Sequence, residues 1–271
     1  MATVSGKNPV KMAIALSTCL VYAGCNAIAP VHRQSEKTAT DASAQSGLGH
    51  LVVMINGDKA PLPRQVYSAD GEKVPYVPDK NPYTSGGAAI PAEARTKFAA
   101  ADNALSRGDL KGARAQFREL TEKYPALSGA WVKLGYIAEK KEKYDKAVKC
   151  YSNAIKVNKE NVNAYIALGL VQRRQGKFTQ AQKAYLDALQ VWKDFPEAHL
   201  NLAILYDLYM NSPENAQRHY EAYDFLTGGK HQNVHKWLVE IKQRTGIQHS
   251  FIDVPPKVAA QTVSAEPAGA R

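Results

Sequence analysis

Histidine and cysteine are the residues of this chain that could carry metal or nucleophilic chemistry. The chain has 271 residues, of which seven are histidine and three are cysteine. His231 and His235 are four residues apart, a spacing that would place both imidazoles on one face of a helix, within reach of one metal ion. No third ligand is evident in the sequence. We therefore expect both histidines to be solvated surface residues and predict no metal site.

The cysteines do not indicate covalent catalysis. Cys19 and Cys25 lie near the N-terminus, and Cys150 has no histidine or Asn/Asp pattern that would supply a catalytic partner. We expect Cys150 to be a small packed residue. The P-loop, the dinucleotide fingerprint, the nucleophile elbow and the HExxH motif are absent from the sequence. The sequence therefore predicts no catalytic residues, no cofactor and a protein that is not an enzyme.

Residues 1–24 have the pattern of a signal peptide. Two lysines precede an apolar run, residues 12–24, that is too short to cross a bilayer comfortably. The residues Tyr22-Ala23-Gly24-Cys25 resemble the bacterial lipobox, which implies a lipoprotein held at the membrane through lipid on Cys25. A plain cleaved signal peptide is the alternative. The pattern predicts a bacterial envelope protein facing the periplasm, and Asn26, in place of Asp, favours the outer membrane.

The two segments that flank the central part of the chain are predicted to lack regular structure. Residues 25–92 are rich in serine, threonine, alanine, glycine and proline and show no sustained helical period, so we expect an extended tether. The short apolar run at residues 51–55 is a candidate for docking onto the body of the chain. Residues 246–271 contain Pro255-Pro256 and a small-residue tail, and we expect them to be disordered.

Between these segments the sequence repeats every 34 residues. Trp131, Tyr165 and His199 each stand three residues before a leucine followed by glycine or alanine, and each precedes a second segment of the form Ala-x-x-x-Tyr. This pattern resembles the tetratricopeptide repeat (TPR). The resemblance implies an all-α helical solenoid over residues 93–245, in which each helix-turn-helix pair buries its apolar face against its neighbours and His199 is packed. We place four repeats and a C-terminal capping helix at residues 94–127, 128–161, 162–195, 196–230 and 233–245.

The resemblance also implies a peptide-binding groove lined by the first helix of each repeat. Apolar residues occupy many groove positions: Phe98, Val132, Tyr136, Ile166, Leu170, Leu200 and Ile204. Polar residues occupy others: Lys133, Asn163, Arg173, Arg174, Asn201 and Asp207. The set does not reproduce the Lys/Asn clamp with which some TPR proteins bind a C-terminal carboxylate. We expect a partner peptide or helix with apolar anchors and one or two charges; packing of the chain's own tether in the groove is the alternative.

Positive charge is concentrated in the repeats. The formal net charge is +10, and residues 94–245 hold 25 Lys and Arg against 16 Asp and Glu. The densest cluster has few aromatic residues on an exposed face, which together with export argues against nucleic acid. A solvated face is the simplest interpretation of this basic patch, and binding of an anionic glycan or lipid is the alternative function. The patch comprises Lys140, Lys141, Lys143, Lys146 and Lys149.

The whole pattern predicts a lipid-anchored periplasmic scaffold for protein–protein interaction. By family resemblance, its partner would belong to a pilus, secretion or envelope-energising complex. The residues leave the identity of that partner open.

Overall fold

A computed structural model describes residues 58–86 and 90–256 of the chain. Within these residues there are ten helices and one antiparallel hairpin, in which β1 (Val66–Tyr67) pairs with β2 (Lys73–Val74) in the register Val66↔Val74. The helices are α1 (Pro82–Ser85), α2 (Ala92–Ser106), α3 (Leu110–Lys123), α4 (Ser128–Lys140), α5 (Tyr144–Val157), α6 (Val162–Arg174), α7 (Phe178–Val191), α8 (Pro196–Leu208), α9 (Pro213–Thr227) and α10 (Gln232–Thr245).

Helices α2 to α9 form four consecutive packed pairs. We call the first helix of each pair (α2, α4, α6, α8) the A helix and the second (α3, α5, α7, α9) the B helix. Contacts are most extensive within a pair, and each B helix also contacts the next A helix. The A helices α4, α6 and α8 contact each other more extensively than the B helices do, so they line the inner side of the stack. Helix α10 packs on α9 and closes the stack. The predicted all-α solenoid with a capping helix is confirmed.

The turns between A and B helices repeat a left-handed backbone conformation every 34 residues. Gly108 and Gly176 have φ angles of +82° and +73°, which glycine adopts without a steric penalty. In the second pair Glu142 occupies the equivalent position at φ +54°. After the first turn, Asp109 begins α3 by accepting the backbone N–H of Gly112 at 2.8 Å. The 34-residue period therefore reflects a repeated turn as well as repeated helices.

Glycines at the helix crossings allow large tyrosines into the core. A Cβ atom at Gly135 would lie 2.4 Å from Cε1 of Tyr151, and one at Gly169 would lie 2.3 Å from Cε1 of Tyr185. Both tyrosine side chains are buried, and the backbone of each A helix lies directly against a ring from its B helix. Because interiors are close-packed, a larger residue at either glycine would push the two helices apart.

The described part of the N-terminal segment differs from the predicted extended tether. Residues 58–86 pack along the edge of the stack where one helix pair leads into the next. Asp194 is buried in the loop between α7 and α8. Its carboxylate accepts hydrogen bonds from the hydroxyl of Tyr76 at 2.6 Å and from the backbone N–H of Asp79 at 2.7 Å. Trp192 Nε1 donates to the carbonyl of Asp79 at 2.8 Å. These partners are more than 110 positions away in sequence, so local composition could not reveal them.

The C-terminal segment also departs from the prediction over its described part. Residues 246–256 fold back on α9 instead of being disordered. The backbone N–H of Phe251 donates to Glu221 at 2.7 Å, and the side chain of Ile252 is buried. The N–H of Gln65 then donates to the carbonyl of Ile252 at 3.0 Å. The two ends of the described chain therefore pack together on the last repeat.

Several predictions concern residues outside the described ranges. These are the signal peptide at residues 1–24, the lipid site at Cys25, the apolar run at residues 51–55 and the end of the C-terminal tail. Within the described ranges, no helix has the length and apolar character needed to span a bilayer.

Candidate peptide-binding groove

Six apolar groove residues lie on the three central and C-terminal A helices. On each helix the two residues are four positions apart, so they share one face. All six are half-buried, so that part of each side chain reaches solvent. We call this set the A-helix groove; it comprises Val132 and Tyr136 on α4, Ile166 and Leu170 on α6, and Leu200 and Ile204 on α8.

At the N-terminal end of the groove, the predicted residues are used to pack the first repeat. Phe98 on α2 makes an edge-to-face contact with Phe117, with ring centroids 5.3 Å apart. Lys133 is buried, its ammonium pairs with Asp102, and it lies 6.0 Å from the centre of the Phe98 ring. Lys133 is therefore committed to contacts within the chain and is not available to a ligand.

At the C-terminal end of the groove, the capping helix neutralises the predicted acidic residue. The carboxylate of Asp207 accepts a hydrogen bond from Nη1 of Arg244, on α10, at 2.5 Å. It accepts a second hydrogen bond from the hydroxyl of Tyr220 at 3.4 Å. Burial and the Asp207 charge together raise the pKa of Tyr220 above its ordinary value. Asp207 therefore stabilises the junction between α8, α9 and α10.

The polar residues of the central repeat keep more freedom to meet a partner. Arg173 is half-buried, with its guanidinium 5.9 Å from the centre of the Tyr209 ring. Arg174 is exposed and lies 5.8 Å from the centre of the Tyr144 ring. Asn163 is exposed. Within the described residues neither arginine forms an ion pair, so the groove presents unpaired positive charge at its centre.

The remaining polar groove residue serves the helix that carries it. Asn201 Nδ2 donates to the carbonyl of Glu197, one turn earlier in α8, at 2.8 Å. This bond leaves the Asn201 side chain oriented along the helix.

One carboxylate beside the groove was not predicted from the sequence. Glu139 lies on α4, 34 positions before Arg173, and burial raises its pKa above the ordinary range. The charge of Arg174 and a hydrogen bond with Tyr151 oppose that rise. The 34-residue period itself is the signal that could have identified Glu139, since it occupies the position equivalent to Arg173 and Asp207.

A buried polar chain joins the N-terminal segment to the fourth repeat. Nε2 of His219 lies 2.7 Å from Oδ2 of Asp58, and Nδ1 of His219 lies 2.8 Å from Nδ1 of His199. Nε2 of His199 lies 2.8 Å from the carbonyl oxygen of Lys193. The side chains of Asp58 and His219 have no exposed surface, and His199 is fully buried. No local sequence pattern indicates this polar chain, because Asp58 and His219 are 161 positions apart.

Burial and hydrogen bonding together set the protonation of His199 and Asp58. The carbonyl of Lys193 only accepts, so Nε2 of His199 donates to it. In a neutral imidazole the other nitrogen carries no proton, so Nδ1 of a neutral His199 accepts from Nδ1 of His219. Burial and the charge of His219 lower the pKa of His199 to about 3. Burial alone would raise the pKa of Asp58, but the hydrogen bond and charge of His219 bring it down to about 2. The chain therefore holds a neutral His199 and an ionised Asp58 in the interior.

The other candidate residues lie on the surface or in ordinary packing. His231 and His235 are both exposed, and the described residues contain no group of three or more His, Cys, Asp or Glu that could hold a metal. All five lysines of the basic patch are exposed, and Lys140 lies 5.3 Å from the centre of the Tyr136 ring. Cys150 is half-buried, and burial raises the pKa of its thiol. A thiol with a raised pKa is a weak nucleophile at neutral pH.

Two repeat models match part of the repeat region. A TPR repeat model matches residues 135–176, and a tetratricopeptide repeat model matches residues 166–223. No curated protein matches the sequence.

Similar folds occur among solved structures. The structure of pilF from Pseudomonas aeruginosa is 20% identical, covers 57% of this chain and 70% of its own, and has a TM-score of 0.51. MamA from Desulfovibrio magneticus RS-1 is 16% identical, covers 58% and 88% of the two chains, and has a TM-score of 0.48. The TPR protein TTC0263 from Thermus thermophilus is 20% identical, covers 56% and 83%, and has a TM-score of 0.47. At these identities the likeness concerns the fold alone. The family matches and the stacked helix pairs together show that this chain contains tetratricopeptide repeats.

Proposed function

We propose that this protein is a scaffold that binds a segment of a partner protein in the A-helix groove. TPR proteins are generally non-enzymatic scaffolds for protein–protein interaction, and the fold of this chain is of that type. The partner segment is a peptide or helix with apolar side chains that complete the burial of the groove residues.

The half-burial of the six groove residues is the observation that carries this proposal. Isolated exposed apolar residues are common on protein surfaces, but a continuous apolar face on three neighbouring helices indicates a binding surface. The described segments that flank the repeats, residues 58–86 and 246–256, make their hydrogen bonds with the inter-repeat loops and with α9.

A paired capture experiment tests the groove. We expect the double variant Tyr136→Ala, Leu170→Ala to recover a partner at least about 10-fold less well than the wild type, because loss of interface anchors weakens binding by more than about 1.4 kcal/mol. The control is Val157→Ala, Val239→Ala, which removes two exposed apolar side chains from α5 and α10, outside the groove. Unchanged recovery by a groove variant that keeps its helical circular dichroism would contradict the proposal.

We further propose that the scaffold is anchored in the bacterial envelope by lipid on Cys25 and faces the periplasm. The support is the sequence pattern before Cys25, because two acyl chains on one residue give stable membrane attachment. A Cys25→Ser variant should move from the membrane fraction to the soluble fraction on cell fractionation, whereas Cys150→Ser should stay with the membrane. Retention of Cys25→Ser at the wild-type level would disprove the anchor.

The basic patch supports a second candidate function, binding of anionic lipid. All five lysines are exposed, and within the described residues none of them forms an ion pair. Charge reversal of Lys143, Lys146 and Lys149 should abolish sedimentation with vesicles that contain anionic lipid, while reversal of Lys111, Arg114 and Arg118 on α3 should not. Equal sedimentation of both triple variants would exclude a specific role for the patch.

A further inference from the structure

The same position on three successive A helices carries residues of different charge. Glu139, Arg173 and Asp207 follow one another at 34-residue intervals and belong to the second, third and fourth repeats. The B helix of each of these repeats contributes a buried tyrosine: Tyr151, Tyr185 and Tyr220.

In the second and fourth repeats, this A-helix position holds a carboxylate that forms a hydrogen bond with the tyrosine of the same repeat. Glu139 is hydrogen-bonded with Tyr151. Asp207 accepts the hydroxyl of Tyr220 at 3.4 Å. In both repeats a buried phenol therefore has an acceptor at the inner side of the stack.

In the third repeat this arrangement is broken because the position holds Arg173. The hydroxyl of Tyr185 and Nη1 of Arg173 are both buried, and neither has a hydrogen-bond partner among the described residues. Burial raises the pKa of Tyr185, and the charge of Arg173 opposes that rise. Buried polar groups nearly always have hydrogen-bond partners, so the Tyr185 hydroxyl and Nη1 of Arg173 each lack the partner that such groups usually have.

The unsatisfied pair lies next to an exposed apolar surface. Arg173 is half-buried above the ring of Tyr209, which is 47% exposed, and Leu208 beside it is 61% exposed. Leu208 follows the groove residue Ile204 by one helical turn, so this surface continues the A-helix groove. Exposed Arg174 adds a second positive charge.

We propose that the partner segment binds here through an acidic side chain that accepts hydrogen bonds from Arg173, with an adjacent apolar side chain lying on Leu208 and Tyr209. The inference rests on the proposed function and specifies the chemistry of its partner. The carboxylate gives Arg173 a hydrogen-bond acceptor, which its Nη1 lacks among the described residues. An arginine and a carboxylate can form two parallel hydrogen bonds, which makes Arg173 a suitable partner for an acidic side chain.

Selection of peptides on the full chain tests this assignment without knowledge of the natural partner. A displayed library of random peptides is selected on the full chain, and the enriched peptide is synthesised with its acidic residue and with the matching amide. We expect enriched peptides to carry Asp or Glu beside an apolar residue. Replacing that acid by its amide should weaken binding by about 10- to 100-fold, the usual effect of losing a charge-assisted hydrogen bond.

The variants then locate the effect at Arg173. Arg173→Met should bind the acidic peptide more weakly than the wild type does, by the same factor. It should bind the amide peptide with an affinity no lower than that of the wild type. Arg118→Met, an exposed arginine on α3, should bind both peptides as the wild type does. Arg173→Glu should prefer a peptide with lysine in place of the acid.

The outcomes separate this inference from the proposed function. Enriched peptides without an acid, or equal affinity of Arg173→Met for the acidic peptide, would overturn the role of Arg173. If such peptides still lost affinity for Leu170→Ala, the groove would stand and only its charge specificity would fall. Failure to enrich any peptide that depends on Leu170 would overturn both.

Discussion

At the scale of single residues, a buried polar chain runs from Asp58 through His219 to His199. The groups that face His199 are His219, the carbonyl of Lys193 and, beyond His219, the carboxylate of Asp58. The ring of Tyr206 stacks on His219 at 5.8 Å. Because His199 is held neutral, its burial links the stability of the fold to pH.

We predict that acidification destabilises the protein through His199. The pKa of His199 falls from its ordinary 6.5 to about 3 on folding, so between these values the unfolded chain binds a proton that the folded chain does not. Stability therefore rises with pH across this window and is lost as pH falls below 6.5, by up to about 1.4 kcal/mol per pH unit. Asp58, whose pKa is lowered to about 2, adds its own loss only below its unfolded pKa, near 3.8.

Chemical denaturation of His199→Gln at a series of pH values checks this prediction. Between pH 6 and pH 4.5, the unfolding free energy should change less steeply with pH in His199→Gln than in the wild type. The difference in slope should be about 1.4 kcal/mol per pH unit, which corresponds to one proton. His235→Gln, a change at an exposed histidine, should keep the wild-type slope. An unaltered slope in His199→Gln would assign the acid sensitivity to other groups.

At the scale of elements, the helix crossings decide how closely each pair packs. Gly135 and Gly169 have no side chain, and the rings of Tyr151 and Tyr185 occupy the space where a Cβ would lie. The same substitution has different consequences at different helical glycines, because the neighbour determines whether a methyl group fits. At Gly129 a Cβ would lie 3.3 Å from the hydroxyl of Tyr83, the end of a side chain that can shift.

We predict that Gly169→Ala destabilises the solenoid by about 1–3 kcal/mol, because overpacking against Tyr185 outweighs the gain in helix propensity. The matched change Gly129→Ala should alter stability by less than about 1 kcal/mol. Alanine favours the helix there, and the hydroxyl end of the Tyr83 side chain can move aside to make room for the methyl group. Thermal and urea unfolding of the two variants provide the comparison. Equal destabilisation by both changes would show that the crossing glycine is not specifically required.

At the scale of the whole molecule, the solenoid is held by more than its repeats. Residues 58–86 run along the inter-repeat loops, and residues 246–256 join them at the last repeat through the bond from Gln65 to Ile252. Asp253 reinforces this junction by pairing with Tyr67 and Lys73. Nearest-neighbour stacking makes repeat arrays separable into units, and a segment that spans several repeats couples those units.

We predict that Asp194→Ala releases the middle of the N-terminal segment without unfolding the repeats. The change removes the acceptor of Tyr76 and of the Asp79 backbone, so trypsin should cleave faster at Lys73 and Lys80. Asp187→Ala, which removes an exposed carboxylate paired with Lys183, serves as the control. Unchanged cleavage with unchanged helical circular dichroism would mean that other contacts hold the segment.

The sequence by itself determined the solenoid, because its information is local and repeated. The recurrence of Trp131, Tyr165 and His199 at 34 residues identifies the helix pairs, and the face with Ile166 and Leu170 follows from helical periodicity. The apolar faces depend on residues within one or two turns of each other, and the 34-residue recurrence repeats the same local pattern along the chain. They are therefore readable from a single chain.

Only the tertiary structure decided which polar residues have partners. The sequence predicts Lys133 as a groove residue, but in the structure Lys133 is buried and pairs with Asp102. It predicts Asp58 as part of a tether, but Asp58 contacts His219, which is 161 positions away. The unsatisfied position of Arg173 is likewise visible only against the bonds made at Glu139 and Asp207. Hydrogen bonds and ion pairs form between segments that are close in space but far apart in sequence. The sequence therefore specifies the stack of helix pairs but not which polar residues bond to each other.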